Sequence, residues 1–579
     1  MLARRFFQPQ PCLLWKSRPC RLARHSGPNS KSSQSEPARP QSTISETNRK
    51  DEPLVSDFQS RLDSIIKLGK PLYPIIPSGV CATEIATLKH RYGDKTQQQL
   101  SDLVTSGESN PYTIYGRVTS IRTAGRKLVF LDIERNEDKI QGIYRFNSIA
   151  GLEVDQFTKF SELLRAGDFI SFTGIISRTN AGELSLRSTA EITLLSPCLH
   201  PLPEQLSDRS KSHHRTVDFI INPTSRDLIR ARSQIISLIR SYFLEHGFLE
   251  VQTPILSDVA GGANARPFTT HALLGSGDSS TTSGIPLELR VAPELWLKRL
   301  IIGGFDKVFE IGQVFRNEGI DHIHNPEFTT CEFYEAFASL ESLISTTEEL
   351  ISTVVQQASA ISPIIAQNIR VKNLSIRAPF PRIDFIPALQ QALDAEFPGS
   401  VLQTHSNFDS EDYHLAIKFL ESIFTKHGLP LPSPPTIPRM LDKLADKFLL
   451  PVIESFNTPV FLINFPESLS PLSKSTSSGI ARRFELYICG TELVNAYEEE
   501  NSPFSQRKKF STQQRDRDHF HDLESLVADQ SYLTSMEWAL PPTGGWGIGI
   551  DRLVMLLTGA EKINQILAFG GIKNVVKQE

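Results

Sequence analysis

Three stretches of the chain put more charge into apolar, strand-forming patterns than a packed core tolerates, because a buried charge without a partner is expensive. A ligand is the natural partner. The first stretch runs Phe315-Arg316-Asn317-Glu318-Gly319 and on through Asp321, His322, His324, Asn325 and Pro326 to Phe328. It reads as strand, loop, strand, with Arg316 and His324 available to anions and Phe328 placed to stack on a base. The second starts at Phe484-Glu485, crosses Gly490-Thr491-Glu492 and continues through Asn495, Tyr497, Glu499 and Asn501. Alternation from Glu485 carries several carboxylates and amides onto one face of a strand, where a hard cation or an ammonium could be held. The third, Gly545-Trp546-Gly547-Ile548-Gly549-Ile550-Asp551-Arg552, is a glycine-rich strand entering a helix at 553–557. Its glycines let a ligand approach the backbone, and Arg552 falls near the helix start, facing the site.

Positioning these residues falls to a mixed α+β domain. A strong helical period covers 224–246, opened by Asn222-Pro223 and closed by Gly247. Strand-like runs follow at 248–251, 287–291, 308–311, 328–337, 484–489 and 545–550, while 339–480 reads mainly as helices broken by the Pro-rich 429–438. Upstream the period changes. Helical spacing spans 57–103, and from Tyr112 short β-prone runs at 112–121, 128–133, 140–145, 169–176, 184–186 and 192–195 alternate with turn residues such as Ala124-Gly125. Five or so strands with a helical interruption at 154–164 suit an oligonucleotide-binding (OB) barrel, which reads single-stranded bases by stacking and edge contacts.

Composition bounds the rest. A chain of 579 residues needs more than one core, and 39% hydrophobic with 22% charged residues describes a globular protein. No apolar run is long enough for a membrane span, so no membrane is expected. A net charge of -4 neither advertises nor excludes a nucleic-acid partner, since a basic face and an acidic site cancel in the sum. The six cysteines are scattered without a CxxC pair, which argues against structural zinc or a disulfide framework. His213-His214 and His519-Phe520-His521 read as exposed polar loops, lacking a third ligand. The first 35 residues carry Arg4, Arg5, Lys16, Arg18, Arg21 and Arg24 and no acidic residue. That is transit-peptide composition, directing the chain to the mitochondrial matrix; the alternative is a basic tail touching RNA.

Arg316 through Phe328, Phe484 through Asn501 and Gly545 through Arg552 resemble the second and third signature motifs of class II aminoacyl-tRNA synthetases. The helix and strand ending Gly247-Phe248-Leu249-Glu250-Val251-Gln252-Thr253-Pro254 are similar to the first motif, which forms the dimer interface in that class. FRNEG followed by HNPEFT, with GGANARPF at 261–268 and LRVAPELWLKRL at 289–300, resembles the lysyl members of subclass IIb, of mitochondrial type. The resemblance covers about 112 to 569. It implies ATP and Mg2+ as substrate and cofactor, lysine and tRNA(Lys) as partners, and a homodimer.

By motif position the resemblance implies the following roles. Arg316 would bind the ATP α-phosphate and the lysine carboxylate, Arg552 the γ-phosphate and one adenine face, and Phe328 the other face. Glu318 and His324 would contact adenine and phosphates, and Glu485 and Glu492 would hold magnesium. Gly262 and Glu294 would take the α-amino group of lysine, with Asn495 near its carboxylate. Glu499 and Tyr334, supported by Glu332, would receive the ε-ammonium, with Tyr497 along the aliphatic stem. In the barrel, Arg122, Phe130 and Gln141 would contact the anticodon. Ala496 stands where the family usually has Gly, Glu498 is an added carboxylate, and Phe569-Gly570-Gly571 lacks the usual Pro.

Taken singly these residues read blandly: Phe130 as a barrel core aromatic, Glu485 and Glu492 as strand-edge charges, Arg552 as a helix surface residue. Their joint order carries the functional reading. The expected layout is 1–52 transit peptide and disordered linker, 53–110 helical extension, 111–198 OB-fold anticodon domain, 199–222 linker, and 223–579 catalytic domain with an antiparallel sheet flanked by helices and a helical insertion at 339–480. The rivals are an aspartyl- or asparaginyl-type synthetase, a protein-modifying lysine ligase and a non-catalytic tRNA-binding paralogue. The acidic pocket, the barrel and the intact arginines respectively weigh against them.

Overall fold

The barrel closes because its inward positions alternate with outward ones along every strand. Strands Tyr112–Thr123, Leu128–Arg135, Asp138–Arg145, Leu184–Ser188, Phe169–Arg178 and Thr193–Ser196 are neighbours in that order, and the first also pairs with Phe169–Arg178 to shut the sheet. Ile114, Val118, Val129, Leu131, Ile133, Ile170 and Phe172 fill the interior. Helix Val154–Leu163 plugs one end, with Phe157 stacked on Tyr144 at 4.7 Å. The computed structural model describes residues 57–69, 71–76, 81–272, 284–396, 413–522 and 525–571. The presequence and linker expected over 1–52 lie outside them.

Helices Phe58–Lys67, Ile85–Tyr92 and Gln97–Thr105 form where the spacing predicted them. They are no separate unit, since Ile65, Leu88, Tyr92 and Leu100 share the barrel core. Arg61 is buried and fixes the join. Its guanidinium holds both oxygens of Asp168 at 2.8 Å and donates to the carbonyls of Leu163 and Cys198.

The second body is built on an 8-stranded sheet in the order Arg382–Asp384, Val460–Ile463, Arg483–Ile488, Thr491–Glu498, Thr543–Gly549, Glu327–Ala336, Lys307–Phe315, Leu249–Glu250. All neighbours are antiparallel except the outermost pair at each edge. Helices Pro223–Glu245, Leu340–Ile361 and Ile550–Thr558 cover one face. Phe243 anchors that layer, its ring 5.1 to 5.9 Å from those of Phe248, Phe309, Phe333 and Trp546. Trp546 satisfies its indole N–H on Thr347 Oγ1 at 2.9 Å, as a buried donor must. The other face is left for the site. Among the described residues no helix is long and apolar enough to cross a membrane.

Two expectations change. The strands Arg382–Asp384 and Val460–Ile463 lie inside the stretch predicted as a helical insertion, yet they are the edge of the catalytic sheet. The expected linker at 199–222 contains helices Asp208–His213 and Arg215–Ile221. They fold because Arg215, buried beside Asp218, donates to the carbonyls of Gln565, Leu567 and Ala568 near the other end of the chain. The two bodies meet through the barrel strand that carries Phe130, whose Glu134 bonds Arg226 of the long catalytic helix at 2.7 Å; Arg230 of that helix pairs with Glu137.

Candidate active site

The register of the sheet lays the site out in rows. Glu485 lies opposite Asn495, Asn495 opposite Gly547, Gly547 opposite Glu332 and Glu332 opposite Glu310. One step along, Arg483, Tyr497, Gly545 and Tyr334 form a second row. Each row therefore crosses a glycine in the middle strand, which leaves a floor without side chains between polar walls. A methyl group on Gly545 would collide with Glu499 Oε1 and stand 2.6 Å from Tyr334 Cε1. Gly262, at φ 96° where only glycine is at ease, brings its backbone against Glu294 and Ala292.

Over this floor lie two adjoining cavities. The smaller, about 270 Å³, is walled by Gly262, Glu294, Arg316, Glu332, Tyr334, Asn495 and Tyr497, with Gly545 and Gly547 beneath. The larger, about 990 Å³, holds His324, Glu485, Glu492 and Arg552. Asn264, Leu469 and Arg483 line both, so the two meet.

The smaller cavity carries the carboxylates of Glu294 and Glu332 and the guanidinium of Arg316, with Arg483 at its edge bonded to Glu485. Burial, with Glu294 adding repulsion, pushes the Glu332 carboxyl up to about 8, against the pull of Arg316. Tyr334 donates to Glu332 at 3.4 Å and Tyr497 to Glu294 at 2.7 Å. Glu499 lies behind the wall, in contact with the buried ammonium of Lys298; its Oε1 has no hydrogen-bond partner among the described residues. At the cavity's other end Arg316 sits over the Phe328 ring at 5.1 Å. Its buried Nε likewise lacks a partner among the described residues, and burial pulls its basicity down.

In the larger cavity Glu485 accepts from Arg483 at 2.5 Å and from Tyr487 at 2.7 Å. Burial, with Glu492 repelling, pushes its carboxyl up to about 7 despite Arg483. Glu492 accepts from Arg552 at 3.1 Å. Arg552 follows Asp551, which takes the Thr329 N–H at 2.8 Å and pairs with Arg232 of the long helix, so the two motif segments are tied together. His324 faces Asp321 at 2.8 Å, and that bond holds the Asp321 carboxyl down at about 2. Glu318 is exposed on the same loop.

On the barrel, Arg122 and Phe130 are cross-strand neighbours. Asp132 pairs with Gln141 on the adjoining strands. Gln141 is covered: its amide donates to Glu183 at 2.8 Å and accepts from Ser185 at 3.3 Å. Arg122 borders a hollow of about 530 Å³ with Lys89, Lys139 and Arg178.

Sequence reasoning missed Lys298, Arg483 and the Arg232–Asp551 tie. Lys298 had a readable signal, since with Glu294, Leu297 and Ile301 it falls on the buried stripe of its helix.

A class II synthetase is what this sheet and its paired arginines define. Residues 207–573 match the model of the tRNA synthetases class II (D, K and N), and residues 112–194 that of the OB-fold nucleic acid binding domain. The chain belongs to the class II tRNA synthetases, among the lysine–tRNA ligases. It is 42% identical to the mitochondrial lysine–tRNA ligase of Schizosaccharomyces pombe, covering 90% of this chain and 94% of that one. It is 38% identical to the lysine–tRNA ligase of Nostoc punctiforme over 83% of each chain, and 36% identical to that of Bacillus subtilis over 83% and 89%.

The raised Glu332 carboxyl makes a stability prediction with a definite sign. An acid whose folded value exceeds its ordinary 4.5 costs nothing below that pH, costs more as pH rises, and stops changing above about 8. Urea unfolding of ligand-free Glu332→Gln is expected to match the native chain near pH 5 and to exceed it by on the order of 2–4 kcal/mol near pH 9. A difference independent of pH would contradict the assignment.

Proposed function

We propose that the protein joins lysine to tRNA(Lys) in the mitochondrial matrix, as a homodimer that uses ATP and Mg2+. The observation that carries the substrate choice is the small cavity walled by Glu294 and Glu332, joined to a larger one that holds Arg483 and Arg552. In this reading lysine lies in the first, with its α-ammonium at Glu294 and Gly262 and its aliphatic stem along Tyr497. Its ε-ammonium lies at the Tyr334, Glu332 and Glu499 end, and its carboxylate beside Arg316 and Asn495. ATP fills the second, with phosphates between Arg316, His324 and Arg552 and adenine against Phe328, within reach of Glu318.

The lysine carboxylate attacks the α-phosphorus, the bond to the β-phosphate oxygen breaks, and pyrophosphate leaves. The adenylate then passes its lysyl group to a hydroxyl of the terminal ribose of tRNA, releasing AMP. Positioning and charge neutralisation do this work without a protein nucleophile. Glu485 and Glu492 suit Mg2+: they are carboxylates from adjoining strands that line one cavity, and burial, with Glu492 repelling, holds the Glu485 carboxyl up despite Arg483. Held there, such an ion would supply charge neutralisation on phosphate oxygens. Arg122 and Phe130 would hold anticodon bases, with Gln141 orienting Glu183 at the same face. Leu244, Leu249, Ile255 and Leu256, exposed in and after the long helix, support a dimer along the first motif.

The full chain is expected to sediment as two copies and to exchange pyrophosphate into ATP with lysine, but not with aspartate or asparagine. Exchange with none of the three, in folded dimer, would contradict the activity. Residues 1–52 fused to a fluorescent reporter are expected to direct it into mitochondria; a cytosolic reporter would contradict the matrix assignment.

A further inference from the structure

Lys298 is fully buried, on the helix Glu294–Ile302 behind the small cavity. Its ammonium touches Glu294 Oε1 and Glu499 Oε2. It also lies 5.8 to 5.9 Å from the ring centres of Tyr334, Tyr497 and Tyr532. Nothing in the proposed reaction uses it. We propose that Lys298 is a specificity-determining positioning residue: a built-in counter-ion that sets the residual charge of the amino-acid cavity to a single negative unit.

The charges around the cavity lead there. Around the cavity stand the carboxylates of Glu294, Glu332 and Glu499 and the cations of Lys298 and Arg316. Glu310 is matched by Arg290 at 2.6 Å, and Glu485 by Arg483. Burial holds the Glu332 carboxyl up at about 8 in the empty cavity; once an ammonium draws it to its charged form, three carboxylates against two cations leave one negative charge. Lysine, with two ammonium groups and one carboxylate, brings one positive charge and closes the balance. Without Lys298 the excess would be two. Two buried carboxylates cannot both stay ionised beside each other, so one would take a proton. Glu294 and Glu499 would then share that proton and turn toward each other, away from the substrate. The orientation matters because Glu294 reaches the cavity through the same carboxylate that Lys298 anchors: one oxygen is on the ammonium and the other accepts from Tyr497. Burial works against the charge on Lys298, but Glu294 and Glu499 outweigh it and keep the ammonium protonated. The groups facing it are Glu294 on its own helix, Glu499 beyond the strand, and the three tyrosines, with Glu332 one layer further.

This rests on the reading that the cavity takes lysine, so the full chain without substitution is the control; failure of its lysine-dependent exchange would sink that reading, whatever the variants do. The test is pyrophosphate exchange by Lys298→Met, which keeps the side-chain length and removes the charge, and by Lys298→Ala with and without n-propylammonium. The proposal expects the lysine KM of Lys298→Met to rise roughly 30-fold or more near pH 7, with the KM for ATP changed less than about 3-fold. The excess is expected to shrink toward pH 9, where the stranded carboxylates ionise. In Lys298→Ala, n-propylammonium is expected to lower the lysine KM while n-propanol does not. A lysine KM within about 3-fold of the full chain overturns the proposal, as do parallel losses for lysine and ATP without a pH trend, or rescue by the alcohol as well. Failure of both variants to fold even with the amine would assign Lys298 to the fold alone and overturn it equally.

Discussion

A carboxylate taken out of water without a partner costs several kcal/mol, and the middle of this sheet takes three of them, Glu294, Glu332 and Glu499, from strands and a helix that are far apart in sequence. The arrangement holds because the glycine strand Thr543–Gly549 leaves space where side chains would otherwise meet, and because Lys298 and Arg316 supply positive charge on either side. The remaining deficit is what gives the pocket its chemistry. A core that wanted only stability would have filled the same volume with apolar side chains.

The same logic separates the two cavities. Glu294 and Glu332 wall the smaller, the proposed lysine site; Arg552 and His324 line the larger, the proposed triphosphate site, together with Glu485 and Glu492. Arg483 stands at the boundary, bonded to Glu485 on one side and to Asn495 on the other at 3.1 Å. The long helix Pro223–Glu245 ties this centre to the barrel: Arg226 meets Glu134 on the strand of Phe130, and Arg232 meets Asp551 beside Arg552.

Much of this was legible in the sequence because the chemistry lies in consecutive residues. The glycine strand, Arg552 at its helix start and the loop from Arg316 to Phe328 stand as their patterns predicted. Alternation alone did not place Glu492, which differs in parity from Asn495 yet faces the same cleft. The register shifts between Leu486 and Tyr487, and a bulge of that kind leaves no mark in the period. The strands Arg382–Asp384 and Val460–Ile463 were hidden because three or four residues among helices carry no periodic signal, and only pairing at the sheet edge makes them strands. The helices of 208–221 depend on carbonyls some 350 positions away, which local patterns cannot report. A lysine is ordinarily a surface residue, and only the place of Lys298 on the stripe of Glu294, Leu297 and Ile301 marks it as buried.

The central claim is that charge, not shape, selects the amino acid. Calorimetric titration of the full chain with lysine and with norleucine, which keeps the α-amino acid end and a four-carbon stem but lacks the ε-ammonium, tests it most directly. The account predicts that lysine binds at least about a thousandfold more tightly, roughly 4 kcal/mol, since only its ε-ammonium makes charged contacts with the acidic row. Affinities within about tenfold of each other would show that the acidic row does not read the ammonium, and would contradict the account.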